Sequence, residues 1–431
     1  LTSFVEAIMK TRTLLPVLVT GLAVLLAGAD WPQWRGPERD DVSRETGLLK
    51  SWPKAGPDLL WTMDAAGTGY SGPAVVGDRL YLPGGDGKNE FVTAVDVNTG
   101  KKVWSANIGA FYHNGYGSGP RSTPTVAGDL MVALSADGDL CCLDRDGGTV
   151  KWSMSLKDSG IGGNQPNWGY SESPLVDGEQ VVCTPGGSKG TLAAFDRHTG
   201  KLLWQSKGLT DEAGYSSIVV AEIGGVRQYV QQTMSGVVGV SPADGQLLWR
   251  YPRREYRTAV IPTPVVHDGL VYATAGYGAG AALLKFDRPD GKFIVKNLYD
   301  DTARRVMDNK HGGVVAVDKY VFGWSDSAGG KWVCQELLSG KALWRSGALG
   351  RGSLTCADGH LYCYSETDGT CVLVPASDKG WQEHGRFTIP RHPASREFAN
   401  NVWTHPVVAN GKLYLRDQQF LFCYDVKEKS Q

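Results

Sequence analysis

The stretch Ala94-Val95-Asp96-Val97-Asn98-Thr99-Gly100-Lys101-Lys102-Val103-Trp104 decides the fold, because the chain repeats it. A close copy is Ala194-Phe195-Asp196-Arg197-His198-Thr199-Gly200-Lys201-Leu202-Leu203-Trp204, and looser copies occupy residues 142–152, 239–249, 285–295 and 334–344. Asp96, Asp144, Asp196 and Asp287 each stand eight residues before Trp104, Trp152, Trp204 and Val295; Ser241 and Glu336 fill that slot ahead of Trp249 and Trp344. A last copy, Cys423-Tyr424-Asp425, stops short of any Trp, while an orphan Leu59-Leu60-Trp61 precedes the first. An Asp before x-x-Thr-Gly accepts backbone N–H bonds inside the turn and fixes it. A large indole at a regular interval fills a seam and needs a partner for its N–H. Both series therefore read as structural. The landmarks at 61, 104, 152, 204, 249, 295 and 344 lie about 47 residues apart.

A second landmark falls between these units. Apolar strands open near Pro73, Pro124, Pro174, Ile218, Pro264, Val314, Leu354 and Pro406, followed by turns such as Asp177-Gly178, Asp268-Gly269, Asp358-Gly359 and Asn410-Gly411. Asp-Gly and Asn-Gly between alternating apolar residues mark hairpins, because the turn needs positive φ. Three turns per period give four strands per period, the pattern of a propeller blade. Eight openings predict an all-β, eight-bladed β-propeller, with the strand around Trp61 completing the last blade and removing an open edge. The seventh copy is the least regular, with Pro375 and Trp381 standing loosely in the Asp and Trp slots. The 56 glycines and 14 tryptophans in 431 residues suit tight turns between short strands and exclude a helical bundle. With Lys+Arg 44 against Asp+Glu 45, the chain lacks the basic excess of a nucleic-acid binder or a polybasic membrane-surface protein.

Residues 1–29 read as a signal peptide with an over-extended start. Met9-Lys10-Thr11-Arg12 is followed by an apolar run from Leu14 to Leu26 and the small residues Ala27-Gly28-Ala29. This layout predicts export with cleavage after Ala29. The absence of Cys at position 29 argues against a lipid anchor, and no later segment is apolar enough to span a bilayer. The expected organisation is a leader over 30–58, the propeller over 59–426 and a tail over 427–431, placed in the periplasm or outside the cell as a monomer.

The Ala-x-Asp-x-x-Thr-Gly-x-x-x-Trp unit recurring over eight blades resembles the pyrroloquinoline quinone (PQQ)-type propeller repeat. Two groups share it: quinoprotein alcohol dehydrogenases, which hold PQQ and Ca²⁺ at the propeller mouth, and non-enzymatic propellers such as the lipoprotein of the outer-membrane barrel-assembly machine. The preface Asp30-Trp31-Pro32-Gln33-Trp34-Arg35-Gly36-Pro37 also resembles the leader of exported bacterial proteins of this repeat class. Residues 31 and 34 are expected to contribute less to stability than the repeat tryptophans, since they lie outside the repeats. The dehydrogenase resemblance implies a Gly-Gly-Ala-Glu stretch whose Glu binds Ca²⁺. The nearest match, Thr184-Pro185-Gly186-Gly187-Ser188-Lys189-Gly190, has no Glu, and the motif carrying the family's catalytic Asp has no match. Cys141 and Cys142 resemble the vicinal disulfide of that group, but Cys142 also fills the small-residue slot of Ala94 and Ala194. Cys363 and Cys371 are the candidate disulfide of a hairpin.

No catalytic or metal residue is assigned: the eight His are scattered without ligand spacing. The candidate site is the mouth of the central channel. Three residues before the strand openings stand Tyr70, Arg121, Ser171, Tyr215, Ile261, His311, Arg351 and Trp403, with Glu172, Lys310 and His405 beside them. Cations and aromatics around one opening suit a small anionic or aromatic ligand, or an acidic or aromatic side chain of a protein partner. Equally, polar strand ends can simply meet solvent and cap one another. Two readings follow: an exported binding or scaffold propeller with no cofactor expected, or a quinoprotein alcohol dehydrogenase or a degenerate relative that retains quinone binding, with PQQ implied by the resemblance alone.

Overall fold

The repeat turns close as their sequence dictates. Asp96 Oδ1 accepts from the backbone N–H of Asn98 (3.0 Å) and Thr99 (2.9 Å) and from the Thr99 hydroxyl (3.0 Å), and Asp196 repeats the pattern with His198 and Thr199. Gly100 then turns with φ +68° directly beneath the Trp61 ring, where a Cβ would lie 2.6 Å from the indole. Trp61 Nε1 donates to the Val97 carbonyl at 2.9 Å. Trp152 does the same to Arg197 and Trp344 to Ser377. Each of these three Trp thus docks on the turn of the following blade. In six outer strands the residue before Trp is a bulge: Leu60, Val103, Lys151, Leu203, Leu248 and Leu343 fall outside the pairing register. The bulge re-aims the ring into the seam.

The computed structural model describes residues 30–429 apart from 159, 257, 395 and 397–400, so the signal-peptide reading of 1–29 lies outside the described residues. It is an eight-bladed propeller of four-stranded antiparallel sheets. Blade one runs from channel to rim as Ala74–Val76, Arg79–Gly85, Asn89–Asp96 and Lys102–Ala110. Blade eight comprises Val407–Ala409, Lys412–Asp417 and Phe420–Asp425, and its outer strand is Asp58–Met63, with Trp61 opposite Cys423. The ring closes through this strand, as the sequence predicts. The core is distributed. Eight apolar clusters occupy the eight seams between neighbouring blades. No helix among the described residues is long and apolar enough to cross a membrane.

Two expectations are corrected. Cys363 lies opposite Val372, and Cys371 opposite Tyr364. The strand period of two therefore sends the two sulfurs into different seams. Cys141 and Cys142 likewise face different seams. All eight cysteines are free and buried, and burial pushes the Cys141 thiol up to about 12.

The second correction concerns the leader, which belongs to the core. Trp31 bridges Val75 through two 2.8 Å backbone bonds, and Pro32 accepts from the Val126 amide. Trp34 Nε1 donates to Thr263 Oγ1 at 3.1 Å. Arg39 Nη1 donates to the Ile218 carbonyl at 2.8 Å, and its Nη2 donates to that of Pro174. Arg35 Nη2 reaches the Val314 carbonyl at 2.7 Å. Val42–Ser43 adds a parallel strand to the inner edge of blade seven, and Glu45 accepts from Gly411 in blade eight. The leader therefore crosses the channel and bonds to the inner wall of every blade. Arg35, Arg39 and Asp41 hold φ of +63°, +56° and +60°, a left-handed backbone that ordinary residues seldom adopt. Their side chains are almost wholly buried, and the bonds just described hold the strained path in place.

Replacing residues 58–63 by a glycine–serine linker of equal length should expose the edge of Phe420–Asp425 and cause aggregation or unfolding; thermal unfolding and light scattering check this. Trp31 is 2% exposed, whereas Trp104 is half-buried. Trp31→Ala should therefore cost about 3–5 kcal/mol, the range for a buried large aromatic, and at least as much as Trp104→Ala in urea midpoints.

Candidate functional site

Each innermost strand is entered from one face of the ring, so the residues just before it collect at one mouth. Of the eight ring positions, Tyr70, Arg121, Ser171, Tyr215, Ile261, His311 and Trp403 line a cavity of about 430 Å³. His405 lines it too, and Trp34 and Arg35 join from the leader. The leader is thus the floor of the cavity, and the channel is blind from this face. Tyr116 and Trp168, from inter-blade loops, and Tyr277, from the turn between the second and third strands of blade five, complete an aromatic wall.

The wall is tightly organised. His311 stacks on Trp403 at 4.7 Å with 12° between the planes, and Trp403 meets Tyr70 at 5.3 Å. Burial, helped by the nearby Arg351 and Lys310 charges, pulls the His311 pKa down to about 3, so its ring is neutral at pH 7. His405 places Nε2 3.2 Å from the His311 carbonyl and Nδ1 3.4 Å from Asp41 Oδ2, and its ring lies 4.6 Å from Trp34. Arg121 donates to the carbonyls of Gly119 and Gly117 and stands over the rings of Tyr112 (5.3 Å) and Tyr70 (5.9 Å). Burial lowers its pKa from the usual guanidinium value. Across the cavity Trp168 meets Tyr215 at 5.8 Å, and burial raises the Tyr215 hydroxyl to about 12.

Three residues singled out from the sequence do not line this cavity. Glu172 is one step beyond the ring position Ser171 and faces the seam. Its carboxylate accepts from the Thr184 amide and hydroxyl and from Gln231, and burial raises its pKa to about 7 against the lowering effect of Arg39. Lys310, one step before His311, pairs with Asp326 at 2.7 Å, its Nζ 4.9 Å from the Tyr277 ring centre. Arg351 is drawn to Glu366, with Asp326 at 3.8 Å. Alternation along the backbone would have flagged the first two. The residues that sequence reasoning missed are Trp34 and Arg35 and the loop aromatics. The tryptophans at 31 and 34 were a visible signal, but nothing in their spacing linked them to the channel.

The cavity lining contains no Asp or Glu. Among the described residues no cluster of three or more His, Cys, Asp or Glu is placed to hold a metal ion. With Cys141 and Cys142 facing opposite seams, the residues present do not fit a calcium-held quinone of the dehydrogenase kind.

The family profile described as Outer membrane protein assembly factor BamB (PQQ_2) matches residues 88–346. The outer membrane protein assembly factor BamB of Shewanella oneidensis is 25% identical over 232 residues, covering 53% of this chain and 54% of that protein. The chain thus spans about half the length of that relative. Among solved structures, BamB from Moraxella catarrhalis superposes with a TM-score of 0.58 at 16% identity, over 86% of this chain and 99% of that one. Quinohemoprotein alcohol dehydrogenase from Comamonas testosteroni gives 0.66 at 14% identity, over 94% and 81%. At these identities the superpositions speak for the fold. The profile match extends over more than half of the sequence, and the chain belongs to the PQQ_2 family, whose profile is described as Outer membrane protein assembly factor BamB.

Proposed function

We propose that the chain is an exported binding or scaffold propeller that works through its blind channel mouth and the inter-blade loops around it. The observation that carries this reading is the character of the cavity: an aromatic wall, the guanidinium of Arg121 within it and no carboxylate in the lining. Such a surface favours a flat or acidic group. It offers no acid–base pair of carboxylates for turnover. The relatives named as outer membrane protein assembly factors favour a protein partner that inserts an aromatic or acidic side chain; a small planar anion would use the same contacts. The dehydrogenase reading is the weaker one, because its metal and its base both require carboxylates that the lining lacks.

PQQ itself, a planar anion, serves as a probe. Titration into the purified protein should give binding that is indifferent to Ca²⁺ and about tenfold weaker in Arg121→Ala, with no dye reduction by simple alcohols. Calcium-dependent alcohol oxidation would overturn the proposal.

A further inference from the structure

We infer that Arg35, contributed by the leader, is the anion anchor of the mouth, and that the group it takes is a carboxylate carried on an aromatic body. This inference rests on the mouth being a binding site. The guanidinium is committed on two sides and lacks an acceptor on the third. Nη2 donates to the carbonyls of Val314 (2.7 Å) and Asp40 (3.2 Å), and Nε faces Asp41 Oδ2 at 3.1 Å. Nη1 has no protein acceptor, although the side chain is fully buried. A buried donor without an acceptor is unfavourable, and an acceptor atom of a ligand would answer it.

The surroundings say which atom. Nη1 lies beside Gly313, itself part of the cavity lining, where a Cβ would come within 3.4 Å of Nη1 and 3.0 Å of the His405 ring. A side chain at Gly313 would crowd this nitrogen and the His405 ring. Two more lining residues hold buried nitrogens with no partner, Trp403 Nε1 and His311 Nδ1. Trp403 Nε1 can only donate, and His311 Nδ1 donates in the matching tautomer. All three thus favour an acceptor. The lining holds two guanidiniums, Arg35 and Arg121, and Asp41 offsets the first, which leaves one positive charge to match a single negative one. A carboxylate is planar, singly charged and rich in acceptors, and the stacked His311–Trp403 pair and Tyr70 offer flat faces to an aromatic ring attached to it.

The test compares N-acetyl-L-tryptophan with N-acetyl-L-tryptophanamide by isothermal titration calorimetry. The two share one aromatic body and differ in the charge. The carboxylate should bind about tenfold more tightly than the amide. That preference should vanish in Arg35→Lys and shrink in Trp403→Phe, which keeps a ring and removes its donor. If Arg35→Lys does not fold, Trp403→Phe decides. Equal binding of the two compounds by the unaltered protein, or an undiminished preference in Trp403→Phe, would overturn the assignment while leaving the mouth as a binding site. Binding of neither compound would overturn both.

Discussion

Eight innermost strands turn their edges to one channel, and an unpaired strand edge is a row of backbone groups in search of partners. The leader answers that demand. It supplies backbone pairing to blades one, two and seven, and it answers several carbonyls of the other blades with the two buried guanidiniums of Arg35 and Arg39. A guanidinium suits this duty because its five donors fan out in a plane and reach several carbonyls at once. Arg39 alone serves blades three and four. Burial lowers its pKa to about 10, which still leaves it charged at neutral pH. The strained backbone at Arg35, Arg39 and Asp41 is the cost of steering these groups to opposite walls of the channel.

The mouth follows from the same element. Without residues 30–45 the channel would be a water-filled hole whose lining faces solvent. With them it becomes a blind well, in which Tyr70, His311 and Trp403 are partly buried while Tyr116 and Tyr277 stay exposed at the rim. Burial keeps His311 neutral, and its ring stacks on Trp403. Scaffold and candidate site are therefore one structure: the segment that closes the ring against solvent also carries Arg35 to the floor.

The architecture was legible in the sequence because it is local and periodic. Asp96, Thr99 and Gly100 build their turn within five residues, and Trp61 meets that turn at a fixed repeat offset, so spacing alone reveals strand number, blade number and closure. Most of the mouth was legible for the same reason, since one position per blade recurs there. What was hidden is either non-periodic or one residue out of phase. Glu172 and Lys310 are immediate neighbours of mouth residues, and alternation turns both away. Arg351 was captured by Glu366 and Asp326, acidic residues of neighbouring loops that no repeat predicts. The leader escaped because its partners lie up to several hundred residues away and are mostly backbone carbonyls, which carry no sequence signature. The cysteine pairing failed on parity: residues 363 and 371 occupy opposite faces of paired strands.

The central claim is that the leader is a fixed part of the ring and the floor of its mouth. Amide hydrogen exchange on the intact chain tests it most directly. Amides that bond to the leader or belong to it, such as those of Trp31, Asp41, Val75, Val126 and Cys356, should exchange only through global unfolding, as slowly as the central strands of the blades. Rapid exchange of these amides in a protein whose blade strands stay protected would show a leader detached from the channel and would contradict the account.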